Sequence, residues 1–112
     1  GAVPPVRRLL GEKVLPAPGE GPSRAEREAG FFEAQLIGHG RTEDGGKFTL
    51  RADVKGVNDP GYGETAKMLG ESALCLAFDE LDSDGGITTP AVAMGQTLIE
   101  RLRQAGMTFE VR

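Results

Sequence analysis

Tryptophan is absent from the 112 residues, and cysteine, histidine and tyrosine occur once each, as Cys75, His39 and Tyr62. A lone cysteine cannot close an internal disulfide, and one cysteine with one histidine cannot complete a structural zinc site. Basic residues number 13 against 17 acids, for a net charge of −4. That balance argues against nucleic acid as a partner, where a basic patch is the usual footprint, and it offers no polybasic anchor for anionic lipid. No apolar run approaches the ~18 residues that cross a bilayer. The opening Gly1-Ala2-Val3-Pro4-Pro5 has neither the charged nor the apolar region of a signal peptide. The expectation is a cytoplasmic protein with no membrane span and no metal site.

Glycine, by contrast, reaches 17, about twice the usual ~7% frequency. Hydrophobic residues make up 38% and charged residues 27%, the balance of one soluble globular domain. The chain opens on Gly1 rather than methionine, which reads as a processed or excised piece whose missing part carries the chemistry.

Residues 1–30 form the least patterned stretch, an irregular N-terminal segment. Val6 to Leu10 can make one helical turn, and Pro16 to Pro22 breaks any regular element. Ser23-Arg24-Ala25-Glu26 is a capping box that starts a short helix to about Ala29. With so little core of its own, the segment is expected to dock on something.

Residues 31–112 carry the regular elements. In Lys47 to Gly56, Phe48, Leu50, Ala52 and Val54 face one way and Lys47, Thr49, Arg51, Asp53 and Lys55 the other. Period two with one wet face means an antiparallel strand. Its partner is Phe31 to Gly40, joined through the Gly-rich turn Arg41 to Gly46. Inward residues must face inward residues, so paired numbers sum to an even value. A sum of 88 sets Glu33 opposite Lys55, a favourable charge pair; 86 is the rival register. A helix follows from about Tyr62 to Glu80, with an apolar stripe wide enough to be covered on more than one side. Thr89 and Pro90 suit the N-cap and first position of a second helix. Its inner stripe is Ala91, Met94, Gly95, Leu98, Leu102 and Ala105, and Gly106 ends it. Met107, Phe109 and Val111 alternate in a last strand. The order predicts an α+β two-layer sandwich: an antiparallel or mixed sheet of about three strands against two helices.

Candidate chemistry is sparse. Gly61-Tyr62-Gly63-Glu64-Thr65-Ala66 matches the G-x-G-x-x-A of dinucleotide-binding turns, but the strand before it is antiparallel and no parallel strand follows. It reads as a tight helix start, with no cofactor held in this chain. Asp82 to Gly86 places its glycine too early for a calcium loop. His39 falls on the wet face at a strand end, and Cys75 on an apolar helix face. The two helix starts offer free N–H groups to an anion, so Tyr62, Gly86, Thr88 and Thr89 are the candidate substrate- or anion-binding residues. No catalytic residue is assigned.

Several segments together carry a resemblance. They run from Gly19-Glu20-Gly21-Pro22-Ser23 through Tyr62 and Thr65-Ala66-Lys67-Met68, with Glu71, Ala73 and Leu76 beyond. Gly85-Gly86-Ile87-Thr88-Thr89-Pro90-Ala91 then leads to Gly95, Leu98, Arg101-Leu102, Gly106 and Phe109. This order resembles the C-terminal end of the saccharopine dehydrogenase-like oxidoreductases, and within them the branch that includes the trans-acting enoyl reductases. The resemblance implies a parent with an N-terminal Rossmann domain that binds NAD or NADP. The present chain would then be the α+β domain that shapes the substrate pocket and makes subunit contacts, most simply in a homodimer through the 62–80 helix and the N-terminal segment. Two other readings stand beside it: a self-standing dimeric binding or assembly module without catalysis, and a small complete enzyme using His39.

Overall fold

A computed structural model describes residues 19–112. The helical turn expected over Val6–Leu10, and any docking of residues 1–18, lie outside the described residues. The elements in chain order are α1 (Arg24–Ala29), β1 (Phe32–Arg41), β2 (Lys47–Gly56), α2 (Gly63–Phe78), α3 (Pro90–Gln104) and β3 (Thr108–Val111). The sheet has the order β1-β2-β3 and both pairings are antiparallel. The architecture is α+β, as the pattern predicted.

The hairpin takes the register that sums to 88, with Glu33 opposite Lys55 and Leu36 opposite Ala52. Lys55 donates to Glu33 Oε1 at 2.9 Å, so the cross-strand charge pair that favoured this register is made. β3 aligns Val111 with Ala52 and Phe109 with Val54. One face therefore carries Phe32, Leu36, Phe48, Leu50, Val54, Phe109 and Val111. The other face is polar, and Asp53 lies buried within it under Gln35 and Arg112, which both donate to its carboxylate.

α1 starts on the expected capping box: Ser23 Oγ accepts from the Glu26 N–H, and Glu26 reaches back to the Ser23 N–H at 2.7 Å. α3 starts at Pro90 with Thr89 Oγ1 accepting from the Val92 N–H. It ends in a Schellman motif. The Met107 N–H donates to Leu102 O and the Gly106 N–H to Arg103 O, with Gly106 at a φ of 93°. Leu102 and Met107, the two positions that this motif brings together, are both buried.

Two expectations differ from the structure. α3 is not one smooth helix: Gly95 sits at φ 47° and ψ −129°, breaking it into residues 90–94 and 96–104. Only glycine adopts that backbone without strain, so Gly95 is a hinge in the chain path and not a member of an inner stripe. α2 is also not covered on several sides. Its buried residues are Glu64 and Cys75, while Leu69, Leu76 and Phe78 are 71%, 59% and 78% exposed. The buried apolar core of the described residues is only Cys75, Met94, Leu102 and Met107. It sits where α2, α3 and the start of β3 meet. On the apolar sheet face Phe32, Val54 and Phe109 are half-buried, while Leu36, Phe48, Leu50 and Val111 stay exposed.

A polar clamp joins the two long helices. Arg101 of α3 donates through Nε and Nη2 to the Asp79 carboxylate, the latter at 2.8 Å, and through Nη1 to Glu71 at 3.1 Å. The Arg101 guanidinium holds Asp79 below the usual carboxylate range, and Asp79 raises the arginine in return.

Because the core is so small, its members are individually costly to lose. Leu102→Ala should destabilise the chain by about 2–4 kcal/mol, read from urea unfolding. Leu69→Ala, at an exposed position, should stay within about 0.5 kcal/mol. Equal effects at the two positions would mean that the core lies elsewhere.

Candidate functional site

The chain leaves β2 at Gly56 and turns through Val57 to Tyr62 before α2 begins. Leaving a ladder strands backbone donors, and buried donors need an acceptor. Glu64, in the first turn of α2, supplies it. Its Oε1 accepts from the N–H of Val57 at 3.2 Å and of Asn58 at 3.1 Å, from Asn58 Nδ2 at 3.1 Å and from Lys67 Nζ at 2.8 Å. The side chain is fully buried, and Oε2 has no hydrogen-bond partner among the described residues. Burial pushes the carboxyl up, yet the Lys67 and Asn58 hydrogen bonds outweigh it and hold Glu64 below its ordinary value. Gly56 is needed beneath this carboxylate, since a Cβ there would lie 2.4 Å from the Phe32 ring and 2.7 Å from Glu64 Cγ.

Asp59 closes the same turn. Its carboxylate accepts from the N–H groups of Gly61 at 3.0 Å and of Tyr62 and Gly63 at 2.9 Å each. These hydrogen bonds, the Gly63 N–H foremost, hold Asp59 below the usual carboxylate range. The start of α2 therefore carries its own anion, and the donors expected to be free at Gly61-Tyr62-Gly63 are engaged by Asp59. Asp59 also donates its N–H to Arg27 O at 2.9 Å. Gly30 passes so close that a Cβ there would lie 2.8 Å from the Asp59 backbone. The α1 segment is thus seated on this turn.

Beside it lies an open hollow of about 450 Å³ lined by Arg24, Arg27, Glu28, Asn58, Tyr62, Gly63 and Ala66. Gly21 lies against the Tyr62 ring, and the ring remains half exposed. Arg24, Arg27 and Tyr62 line this hollow beside the Glu28 carboxylate, while Asn58 Nδ2 is spent on Glu64; guanidinium groups are the side chains that pair best with an anionic group. Arg24 is partly engaged by Glu28, and the Arg27 charge also helps to lower the Asp59 carboxyl.

The other candidate residues lie apart from it. Gly86, at a φ of 141°, and Thr88 and Thr89 belong to the loop before α3, where the neighbouring Ile87 is fully exposed. Thr89 Oγ1 is spent on the Val92 N–H, and the Gly95 break leaves only residues 90–94 of helix behind this start. No hydrogen bond among the described residues links Tyr62 to Gly86, Thr88 or Thr89. His39 Nδ1 lies 3.1 Å from Thr49 Oγ1 on the polar sheet face, and both are exposed. Cys75 is fully buried, and burial pushes its thiol up.

Sequence reasoning missed Glu64, Asp59 and Arg27. The available signal was Asp59 two to four residues before the glycines of a helix start, an Asx-type capping position. Nothing local marks Glu64, because a glutamate in a first helical turn is ordinarily solvated.

Glu64→Gln keeps the shape and removes the charge facing Lys67. It should cost about 1–3 kcal/mol. A carboxylate depressed in the folded state contributes stability above its unfolded pKa and loses it as pH falls through the lower folded value. Wild-type stability should therefore drop on acidification below about pH 4.5, and the Glu64→Gln variant should show a shallower drop. Superimposable pH profiles from thermal melts would rule out Glu64 as a source of the acid sensitivity.

No protein-family model and no solved structure matches the chain. Among curated proteins, one from Mycobacterium tuberculosis (strain ATCC 25618 / H37Rv), assigned provisionally as a trans-acting enoyl reductase, is 41% identical over 105 residues. A trans-acting enoyl reductase of Mycobacterium ulcerans (strain Agy99) is 39% identical over 98 residues, and one of Mycobacterium bovis (strain BCG / Pasteur 1173P2) is 39% identical over 105. These alignments take in 92%, 86% and 92% of this chain but 24%, 22% and 24% of the relatives. The chain is homologous to a segment of these enzymes and spans about a quarter of their length.

Proposed function

We propose that this chain is the substrate-side domain of an NAD(P)H-dependent enoyl reductase, built on the plan of the saccharopine dehydrogenase-like oxidoreductases. The reading rests on one observation: 41% identity over 92% of the chain to a protein about four times as long that bears an enoyl reductase assignment. In such a reaction a hydride from the nicotinamide reaches one carbon of the enoyl double bond and a proton reaches the other. The Rossmann domain that holds the nicotinamide belongs to the remainder of the protein. Here the N–H groups of Gly61, Tyr62 and Gly63 are engaged by the Asp59 carboxylate and are not free to hold a cofactor phosphate.

This chain's part is to cover the substrate cleft and to pack against the rest of the enzyme. The exposed apolar stripe of α2 formed by Leu69 and Leu76 suits that contact, since soluble proteins rarely leave such patches bare. The hollow at Tyr62, Arg24 and Arg27 takes the anionic part of the substrate or of its carrier.

Calorimetry separates the parts. The full-length protein should bind NADH or NADPH with micromolar affinity and reduce an enoyl thioester. This chain alone should bind neither cofactor at millimolar concentration. Micromolar binding by the chain alone would sink the assignment, as would a full-length protein that binds neither. In the full-length enzyme, Arg27→Ala should raise KM for the enoyl substrate about tenfold with kcat little changed. An unchanged KM would remove the hollow from the substrate path.

A further inference from the structure

β1 is an edge strand among the described residues, ten residues long and in unbroken register with β2. Natural edges are blunted by charged side chains (lysine above all), proline, bulges or brevity; β1 has no lysine, proline or bulge, and its outward charges, Glu33 and Arg41, stand only near its two ends. Which of its backbone groups face outward follows from the ladder. Arg51 exchanges both backbone hydrogen bonds with Arg112, at 2.9 and 2.8 Å. Odd-numbered residues of β2 therefore point their N–H and C=O groups toward β3, and even-numbered ones toward β1. Since Ile37 faces Arg51, the odd residues of β1 point away from β2. Glu33, Gln35, Ile37, His39 and Arg41 present the open edge.

We propose that this edge pairs with the β1 of a second copy, antiparallel about a two-fold axis at Ile37, joining two three-stranded sheets into one of six strands. The edge is self-complementary in this register. Glu33 meets Arg41 of the second copy at both ends, Gln35 meets His39, and Ile37 meets itself. A shift of two residues either way loses both charge pairs. Arg41 has no acidic partner among the described residues, and Ile37 is 54% exposed as the lone apolar side chain on the polar face of β1. Both are explained by one contact. On the opposite face the same register sets Leu36 against Gly38 of the second copy, where nothing lies within 4 Å of a would-be Gly38 Cβ. Each odd residue exchanges two backbone bonds, about ten in all. The inference goes beyond the enzymatic reading and does not depend on it. The second copy lies on the sheet edge and leaves the α2 face free.

Charge swaps and a crosslink test it on the chain as it stands. At about 100 μM, where small interfaces associate, light scattering should report twice the monomer mass. Glu33→Arg and Arg41→Glu each place like charges at both ends and should weaken self-association about tenfold. Circular dichroism should remain that of the wild type. Mixing the two variants restores both ion pairs, so the mixture should recover the dimer. Hydrogen-bonded antiparallel partners have Cα atoms about 5.5 Å apart, within disulfide range. Ile37→Cys should then crosslink on mild oxidation, and Thr97→Cys, far from the edge, should not. A monomeric wild type, an unrestored mixture, or equal crosslinking at both cysteine positions would overturn the proposal.

Discussion

The junction between sheet and helices hangs on the Glu64 carboxylate. One of its oxygens collects the two N–H groups stranded where the chain leaves β2, the Asn58 amide and the Lys67 ammonium. An ionised acceptor makes stronger hydrogen bonds than a neutral one, and here it lies in a fully buried place. Without it, the Val57 and Asn58 N–H groups would lose their acceptor. Asp59, Tyr62 and the α1 segment take their positions from that turn. The second carboxylate in the turn caps α2, so two acids organise what the glycines merely permit.

Elsewhere the chain is held by few contacts. Four apolar residues form the buried core of the described part, and the long helices are tied as much by Arg101, Asp79 and Glu71 as by packing. Large apolar side chains remain exposed on the sheet face, on α2 and before α3. A domain of about this size normally buries most of its apolar side chains. The unspent surface agrees with homologues four times as long. The two open surfaces differ in kind. The α2 face is apolar and irregular, suited to packing, whereas the β1 edge is patterned by charge and backbone direction, suited to a specific strand.

Much of the fold was legible in local pattern. The hairpin register followed from period two and a single charge pair, Glu33 with Lys55, because a one-residue slip reverses every side chain. The caps at Ser23, Thr89 and Gly106 followed from the few residue types whose side chains or dihedrals satisfy helix ends. The likeness to trans-acting enoyl reductases also lay in the residues themselves, in glycines, caps and apolar spacings. The position of the break in α3 did not, since Gly95 fits the helical stripe as well as it fits a hinge.

The candidate site was the least legible part. Tyr62 was visible as a helix-start residue, but its neighbours Arg24 and Arg27 come from an element nearly forty residues earlier. That proximity arises only when α1 docks on the Asn58–Asp59 turn. The burial of Glu64 and the engagement of the Gly61–Gly63 donors by Asp59 likewise depend on that turn closing. Alternation, capping and glycine placement are properties of a few consecutive residues, so the amino-acid order alone indicated the strands, the capped helix ends and the preferred register. Which carboxylate is buried and which donors remain for a ligand depend on contacts between distant segments, and only the folded chain decides them.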